Sequence, residues 1–221
     1  MLEIGIDDAG RGPVIGPMVL AGCLINKRDE SQLKKMGVKD SKQLTSMRRE
    51  FLAKEIKKIA ESYETIVISP SEIDSESENG TKLNEQEAIA AAKIINKLNK
   101  GEEKIRVVLD CPSVSLAKWA DFLKTKIKNL SNLEIVCEHK ADKNHPSVSA
   151  ASILAKSRRE KEMEKLKKEF GDEIGSGYTS DPLTQRFLEK YAHKHKDKGI
   201  FRKTWVTWKN ASQKLGQKKL F

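Results

Sequence analysis

The sequence predicts an α/β protein, a mixed sheet flanked by helices with a small helical appendage at the C-terminus. Three observations carry this. Two apolar runs near the start have strand character, and the remaining chain alternates helical and strand patterns, the signature of a sheet with helices on its faces. The first run leads directly into Asp7-Asp8-Ala9-Gly10-Arg11-Gly12-Pro13, a pair of carboxylates followed by a glycine-rich turn. The last part of the chain is basic and aromatic, with helical spacing.

Taken in order, residues 2–6 and 18–25 are short continuous apolar stretches, the pattern of buried strands, joined by the glycine-rich turn. Residues 31–35 form a short helix. Residues 45–62 interleave charge and apolar side chains at helical spacing, and the β-branched residues 65–68 read as a strand. Residues 69–80, rich in Ser and Glu, read as an exposed loop or a short capped turn. Residues 83–98, with an alanine run, form a helix facing the core. Residues 105–109 form a buried strand that ends at Asp110, residues 114–127 are amphipathic, and residues 133–137 give a further strand. A long helix covers 146–170, with Pro146 tolerated in its first turn. Asp181-Pro182 opens another helix, with Asp181 as its N-cap. Residues 1–182 are expected to form one α/β domain, and residues 183–221 a basic helical region and tail.

Composition narrows the function. The chain has 221 residues, 38% of them hydrophobic, and no run reaches the roughly 18 apolar residues of a membrane span. There is no basic segment ahead of an apolar stretch at the N-terminus, so a cytoplasmic protein is expected. Cys23, Cys111 and Cys137 are too few and too scattered for a disulfide framework or zinc site, and read as reduced core residues. Net charge is +10, and residues 185–221 hold eleven Lys or Arg against Glu189 and Asp197. Such massing points to a polyanionic partner. Tyr191, Phe201, Trp205 and Trp208 lie in the same segment and equally fit a basic surface docked to the core by its aromatics.

Four aspartates share one context. Asp7 and Asp8 end the first strand, Asp110 ends the strand 105–109, and Asp142 lies between the strand 133–137 and the helix from 146. Strand-end carboxylates that converge at one sheet edge repel unless cations are present. That favours one or two divalent ions and phosphodiester hydrolysis. Each aspartate taken singly also fits a turn, and Asp142 a helix cap. In Gly175-Ser176-Gly177-Tyr178-Thr179-Ser180-Asp181-Pro182, the tyrosine stands beside backbone that can approach a ligand and can stack on a base or sugar; a packed tyrosine on a glycine hinge is the alternative. Lys39-Asp40-Ser41-Lys42 reads either as a phosphate grip through Ser41 and Lys42 or as a solvated turn.

Together these blocks resemble ribonuclease HII, the type 2 ribonuclease H, in its archaeal form. Residues 4–13 are similar to the family's opening, Lys39-Asp40-Ser41-Lys42-Gln43-Leu44 to its next block, and Asp110 to its mid-chain aspartate. His139-Lys140-Ala141-Asp142 with Ser147-Val148-Ser149-Ala150-Ala151-Ser152-Ile153-Leu154-Ala155-Lys156 resembles its longest signature, and the Tyr178 block closes the set. The order is the family's, from residue 4 to about 190. The resemblance implies a ribonuclease H-like core and endonucleolytic cleavage of RNA paired with DNA, including single ribonucleotides in duplex DNA, leaving 5′-phosphate and 3′-hydroxyl ends. It implies Mg²⁺ or Mn²⁺ as cofactor, with Asp7, Asp8, Asp110 and Asp142 at the metal-ligand positions. Gly10, Arg11 and Gly12 match the loop that senses a ribose 2′-hydroxyl, and Tyr178 the tyrosine that packs on the adjoining deoxyribose. One departure stands out: the family usually has glutamate at position 8, and aspartate is shorter by one methylene, a reach of roughly 1.5 Å. A non-catalytic nucleic-acid binder and a nuclease for DNA junctions are the competing readings, and the Gly-Arg-Gly and tyrosine blocks oppose the second. Nothing in the sequence demands more than a monomer. The C-terminus ends in Gln217, Leu220 and Phe221, a shortened version of a sliding-clamp-binding peptide; the alternative is a basic tail that touches nucleic acid.

Overall fold

The structure is a computed structural model that describes residues 1–38 and 44–217, the last five by backbone alone. Its sheet is mixed and five-stranded, in the order β3-β2-β1-β4-β5: β1 (Leu2–Ala9), β2 (Met18–Asn26), β3 (Ser62–Ile68), β4 (Ile105–Asp110) and β5 (Leu133–Glu138). β1 pairs antiparallel with β2 and parallel with β4, and β4 pairs parallel with β5. The helices are α1 (Glu30–Lys35), α2 (Ser46–Ile59), α3 (Pro70–Glu78), α4 (Leu83–Leu98), α5 (Leu116–Lys124), α6 (Pro146–Phe170), α7 (Pro182–Tyr191) and α8 (Val206–Gln217). None is long and apolar enough to cross a membrane.

Compact packing divides the chain into two units. The first comprises residues 1–9, 19–66 and 83–158. Successive residues of a strand face opposite sides of the sheet, which places a helix on each face here. A Cβ on Gly5 would lie 2.1 Å from the Ser147 backbone carbon, so the start of α6 rests directly on β1 where only glycine leaves room. Ile94 of α4 stands over Gly22, which is paired with Ile6, the next residue of β1, and so covers the other face. The expected sheet with helices on both faces is therefore present in this unit.

The second unit gathers residues 10–18, 67–82 and the chain from Arg159 through α8. Its core joins Val14, Ile15, Ile174, Phe187, Leu188, Ile200, Phe201 and Trp208. A bridge between Ile15 and Phe201 ties the turn after β1 to the segment before α8. Asp74 of α3 accepts the backbone N–H groups of Lys203 and Thr204, at 2.6 and 3.0 Å. This division differs from the sequence boundary at 182, because the C-terminal region packs around the glycine-rich turn instead of standing apart.

Two elements differ from expectation for visible reasons. Residues 69–80 contain a two-turn helix, α3. Ser69 and Glu72 form a reciprocal capping box, Pro70 holds the first turn, and Ile73 is buried. β1 runs on through Asp7 and Asp8 because Ala21 and Leu20 of β2 pair with them, so both carboxylates stand inside the strand's final turn of pleat.

Candidate active site

The acidic positions of the first unit are built by register. Ile6 pairs with Leu109 across the parallel strands β1 and β4, so Asp7 and Asp110 are next in line at the same sheet edge. Asp7 shares the face of Gly5, beneath α6, and is buried. Its Oδ1 accepts the Asp8 N–H at 2.7 Å, and Ser152 of α6 also hydrogen-bonds to the carboxylate. These bonds favour the ionised form, but they lose to burial and to the charges of Asp8 and Asp110, which push the Asp7 carboxyl up from 3.8 to about 8. Asp110 accepts the Ala141 N–H at 3.2 Å and so anchors the turn that carries Asp142. That turn, Ala141–Lys143, is a single 3-10 turn ahead of α6, and Ser149 donates its hydroxyl to the Asp142 carbonyl.

Asp8 points to the opposite face of β1, the side of Ile6 and α4. Asp7, Asp8 and Asp110 line one pocket, whose wall also contains Glu87 and Ala91 of α4 and Trp119 of α5. The Trp119 indole N–H donates to the Asn84 carbonyl at 2.8 Å, fixing that wall. Asp142 is buried and follows Ala141, whose N–H binds Asp110, but it is not among the residues lining this pocket. Glu87 is a fourth carboxylate of the pocket wall, almost wholly buried. It escaped sequence reading because a glutamate inside an alanine-rich helix resembles an ordinary solvated face.

The donor set is all carboxylate oxygen, which suits a hard divalent cation. Among the described residues, no three His, Cys, Asp or Glu side chains are gathered tightly enough to hold an ion as they stand. Mg²⁺ does not require such a cage, since it keeps several waters and binds through one or two carboxylates. Asp7 and Asp110, side by side, satisfy that requirement by chemistry.

The second unit contains the glycine-rich turn and the tyrosine loop. Gly10 has φ +82°, a left-handed conformation, and a Cβ there would sit 2.2 Å from Arg159 Nε. A Cβ on Gly12 would meet nothing within 4 Å. The carbonyls of this turn are gathered by Arg202, which donates to Gly10 O at 2.6 Å, Arg11 O at 2.7 Å and Gly16 O at 3.0 Å. Arg202 is fully buried. Sequence reading counted it among the basic residues of 185–221 that point to a polyanionic partner, and the structure turns it inward instead. Phe201 and Trp208 are likewise buried, so these aromatics dock the segment rather than present themselves to a ligand.

Tyr178 is 39% exposed, on a loop whose backbone is tied down on all sides. Val14 N–H donates to Gly177 O at 2.9 Å, and Gly177 N–H donates to Thr184 Oγ1 at 3.0 Å. Asp181, the N-cap of α7 as expected, accepts the Leu183 N–H at 2.9 Å and the Ser176 N–H at 2.7 Å. The Ser176 backbone bond leads the causes that hold the Asp181 carboxyl below its ordinary value. The ring of Tyr178 is thus presented by a fixed loop and not by a hinge. Residues 39–43, with Lys42, and the clamp-like anchors Leu220 and Phe221 lie outside the described residues; Gln217 is described by backbone only.

A five-stranded sheet of this order, with carboxylates at the shared edge of β1 and β4, is a ribonuclease H-like fold. The chain belongs to the ribonuclease HII family, whose model matches residues 4–208. It is an endonucleolytic hydrolase of the ribonuclease H type. A ribonuclease HII from Methanococcus maripaludis (strain C6) is 46% identical over 219 residues, spanning 99% of this chain and 90% of that protein. The crystal structure of ribonuclease H2 from Pyrococcus horikoshii OT3 is similar with a TM-score of 0.86 at 38% identity, covering 97% of this chain and 98% of that one. Ribonuclease HII from Archaeoglobus fulgidus, solved as a complex with PCNA, gives a TM-score of 0.81 at 40% identity over 93% of this chain and 95% of that one.

Proposed function

We propose that the enzyme hydrolyses the RNA strand of RNA–DNA hybrids and cuts at single ribonucleotides embedded in duplex DNA, leaving 5′-phosphate and 3′-hydroxyl ends. Asp7, Asp8, Asp110 and Asp142 hold Mg²⁺ or Mn²⁺ in this reading. The observation that carries it is geometric: parallel pairing of β1 with β4 sets Asp7 and Asp110 at one sheet edge, and with Asp8 they line one pocket, where burial and like charge push the Asp7 carboxyl up. A site that strains to keep its charges apart is relieved by a cation. Bound there, a divalent cation would activate water and stabilise the leaving 3′-oxygen. Asp7 and Asp110 supply the paired oxygens, Ser152 orients Asp7, and the Ala141 N–H orients Asp110. Gly10, Arg11, Gly12 and Tyr178 select the substrate, because only the 2′-hydroxyl separates RNA from DNA at a given site. Lys42 and the exposed lysines of the C-terminal region grip phosphates, which makes binding fall with salt. The test is to map the cut on a duplex with one ribonucleotide, beside its all-DNA twin, with each metal. Cleavage of the twin, or none of the ribo-substituted duplex, removes the proposal.

Asp8 bears on metal choice. With its shorter reach, contact with the ion passes through water or at altered geometry, which octahedral Mg²⁺ tolerates less well than Mn²⁺. Asp8→Glu is expected to raise the Mg²⁺-supported rate and lower the Mn²⁺/Mg²⁺ rate ratio. Unchanged rates with both metals would show that reach at position 8 is immaterial.

A sliding clamp is the proposed protein partner, through residues 213–221. The support is the peptide-like end, Gln217, Leu220 and Phe221, and the PCNA complex of the Archaeoglobus relative. Deleting 213–221 is expected to leave cleavage of short duplexes nearly unchanged and to abolish binding in a titration against the host's clamp. Equal binding by both forms, or by neither, rules this segment out as the anchor.

A further inference from the structure

We propose that Arg159 is a positioning residue for ribonucleotide selection: its buried guanidinium fixes the Tyr178 ring and the Gly10 turn relative to each other. The inference rests on the reading of Gly10, Arg11, Gly12 and Tyr178 as the selecting elements. Arg159 lies on α6, is 8% exposed, and touches both elements at once. On one side its Nε donates to the Pro17 carbonyl at 3.3 Å, and the same atom fills the space where a side chain on Gly10 would begin. On the other side its Nη2 donates to the Ser176 carbonyl at 3.1 Å, two residues before Tyr178. The guanidinium also lies over the tyrosine ring, with Cζ 5.0 Å from the ring centroid.

The chemistry of the group explains why arginine is needed. A guanidinium is flat, so it can stack on a ring while its edges donate to two carbonyls in fixed directions. An ammonium is a point charge on a flexible stem and can satisfy a carbonyl without offering a face. The Tyr178 backbone is fixed by its own loop, but its ring is exposed and has freedom about its side-chain bonds. Arg159 removes that freedom from the inner side and leaves the outer face for a sugar. The absence of a side chain at Gly10 is the matching half of the device, because any larger residue would displace the guanidinium from Tyr178.

The experiment compares Arg159→Lys, Arg159→Gln, Arg159→Met, Tyr178→Ala and the double variant Arg159→Met/Tyr178→Ala. Selectivity is read as kcat/KM on a duplex with one embedded ribonucleotide relative to a continuous RNA–DNA hybrid. The second readout is the ¹⁹F resonance of Tyr178 in protein labelled with 3-fluorotyrosine, assigned by its loss in Tyr178→Phe. Arg159→Met is expected to lower selectivity roughly 10-fold or more, through kcat and not KM, since misplacement of a positioning contact acts on the oriented complex. Its Tyr178 resonance is expected to shift while those of Tyr63 and Tyr191 stay in place. Arg159→Lys is expected to keep the fold without restoring selectivity, and the double variant to be no less selective than Tyr178→Ala alone. Should Arg159→Met fail to fold, Arg159→Lys and Arg159→Gln carry the same comparison. If Tyr178→Ala leaves selectivity unchanged, the reading of the tyrosine itself fails. If Tyr178→Ala lowers selectivity but the Arg159 variants change neither selectivity nor the Tyr178 resonance, or if the two losses add in the double variant, Arg159 has no positioning role.

Discussion

Asp7→Asn is expected to abolish cleavage and, in metal-free protein, to raise the melting temperature at neutral and alkaline pH. Even removal of an outer partner of a metal ligand costs up to about 100-fold, so removing a ligand charge should cost at least that much. The stability gain has the opposite sign and a separate cause. In the folded metal-free protein the Asp7 carboxyl keeps its proton to about pH 8, whereas its ordinary value is 3.8. Its contribution to stability is therefore full below about 3.8 and is lost as pH rises through 8. Asparagine imitates the protonated form and retains an acceptor for the Asp8 N–H. Wild type and variant should melt together near pH 4 and separate progressively toward pH 9. For a gain on the order of 2 kcal/mol, the separation would be roughly 4–8 °C in a chain of this size. Thermal melts in EDTA across that range, repeated with Mn²⁺, check both parts: Mn²⁺ should stabilise wild type and do little for the variant. Retained cleavage by purified Asp7→Asn would remove Asp7 from the metal site, and a separation that does not change with pH would mean that Asp7 is not the strained carboxyl.

How much of this was legible in the sequence depends on the range of the interaction. Helices 83–98 and 146–170 were readable to the residue, because periodicity and Pro146 are local signals. The ends of β1 were not, because Asp7 and Asp8 stay in the strand through pairing with Ala21 and Leu20, partners set by the fold. The capping box at Ser69 and Glu72 was present in the sequence, but the Ser/Glu-rich composition around it concealed a helix that depends on burying Ile73. Asp7 and Asp110 were found as candidates because each closes an apolar run, and their adjacency follows from strand order, which no local pattern supplies. Arg159, Arg202 and Glu87 were invisible for a common reason. Each is a charged residue in a charged neighbourhood, and only tertiary packing distinguishes a buried guanidinium or carboxylate from a solvated one. The basic C-terminal region shows the consequence: its charge was read as surface, yet Arg202 within it is the interior support of the glycine-rich turn.

Arg202→Met is therefore expected to produce the largest loss of stability. Methionine fills much of the volume but donates nothing, so the carbonyls of Gly10, Arg11 and Gly16 lose the donor that gathers them. The contact of the guanidinium with the Trp205 ring, 5.0 Å from Cζ to centroid, goes as well. Unsatisfied buried polar groups cost about 1–3 kcal/mol each, and losing the guanidinium leaves these carbonyls without their donor. Some relief comes from water reaching the Arg11 carbonyl, since Arg11 is only partly buried. With the Gly10 and Gly16 carbonyls left buried, a net loss of about 2–6 kcal/mol, or a fall of roughly 4–24 °C in melting temperature, is expected. Arg202→Lys should lie between, because one ammonium cannot span carbonyls that a planar fork reaches together. Below the variant's melting point, where circular dichroism still reports a native helix content, cleavage at a single ribonucleotide should remain depressed, because the turn at Gly10, Arg11 and Gly12 has lost the donor that sets its shape. Thermal melts paired with cleavage assays at low temperature separate the two effects. If Arg202→Met melts like the parent protein, Arg202 does not support the turn; if it melts low but cleaves normally while folded, the turn keeps its shape without Arg202, and the arginine contributes to stability alone.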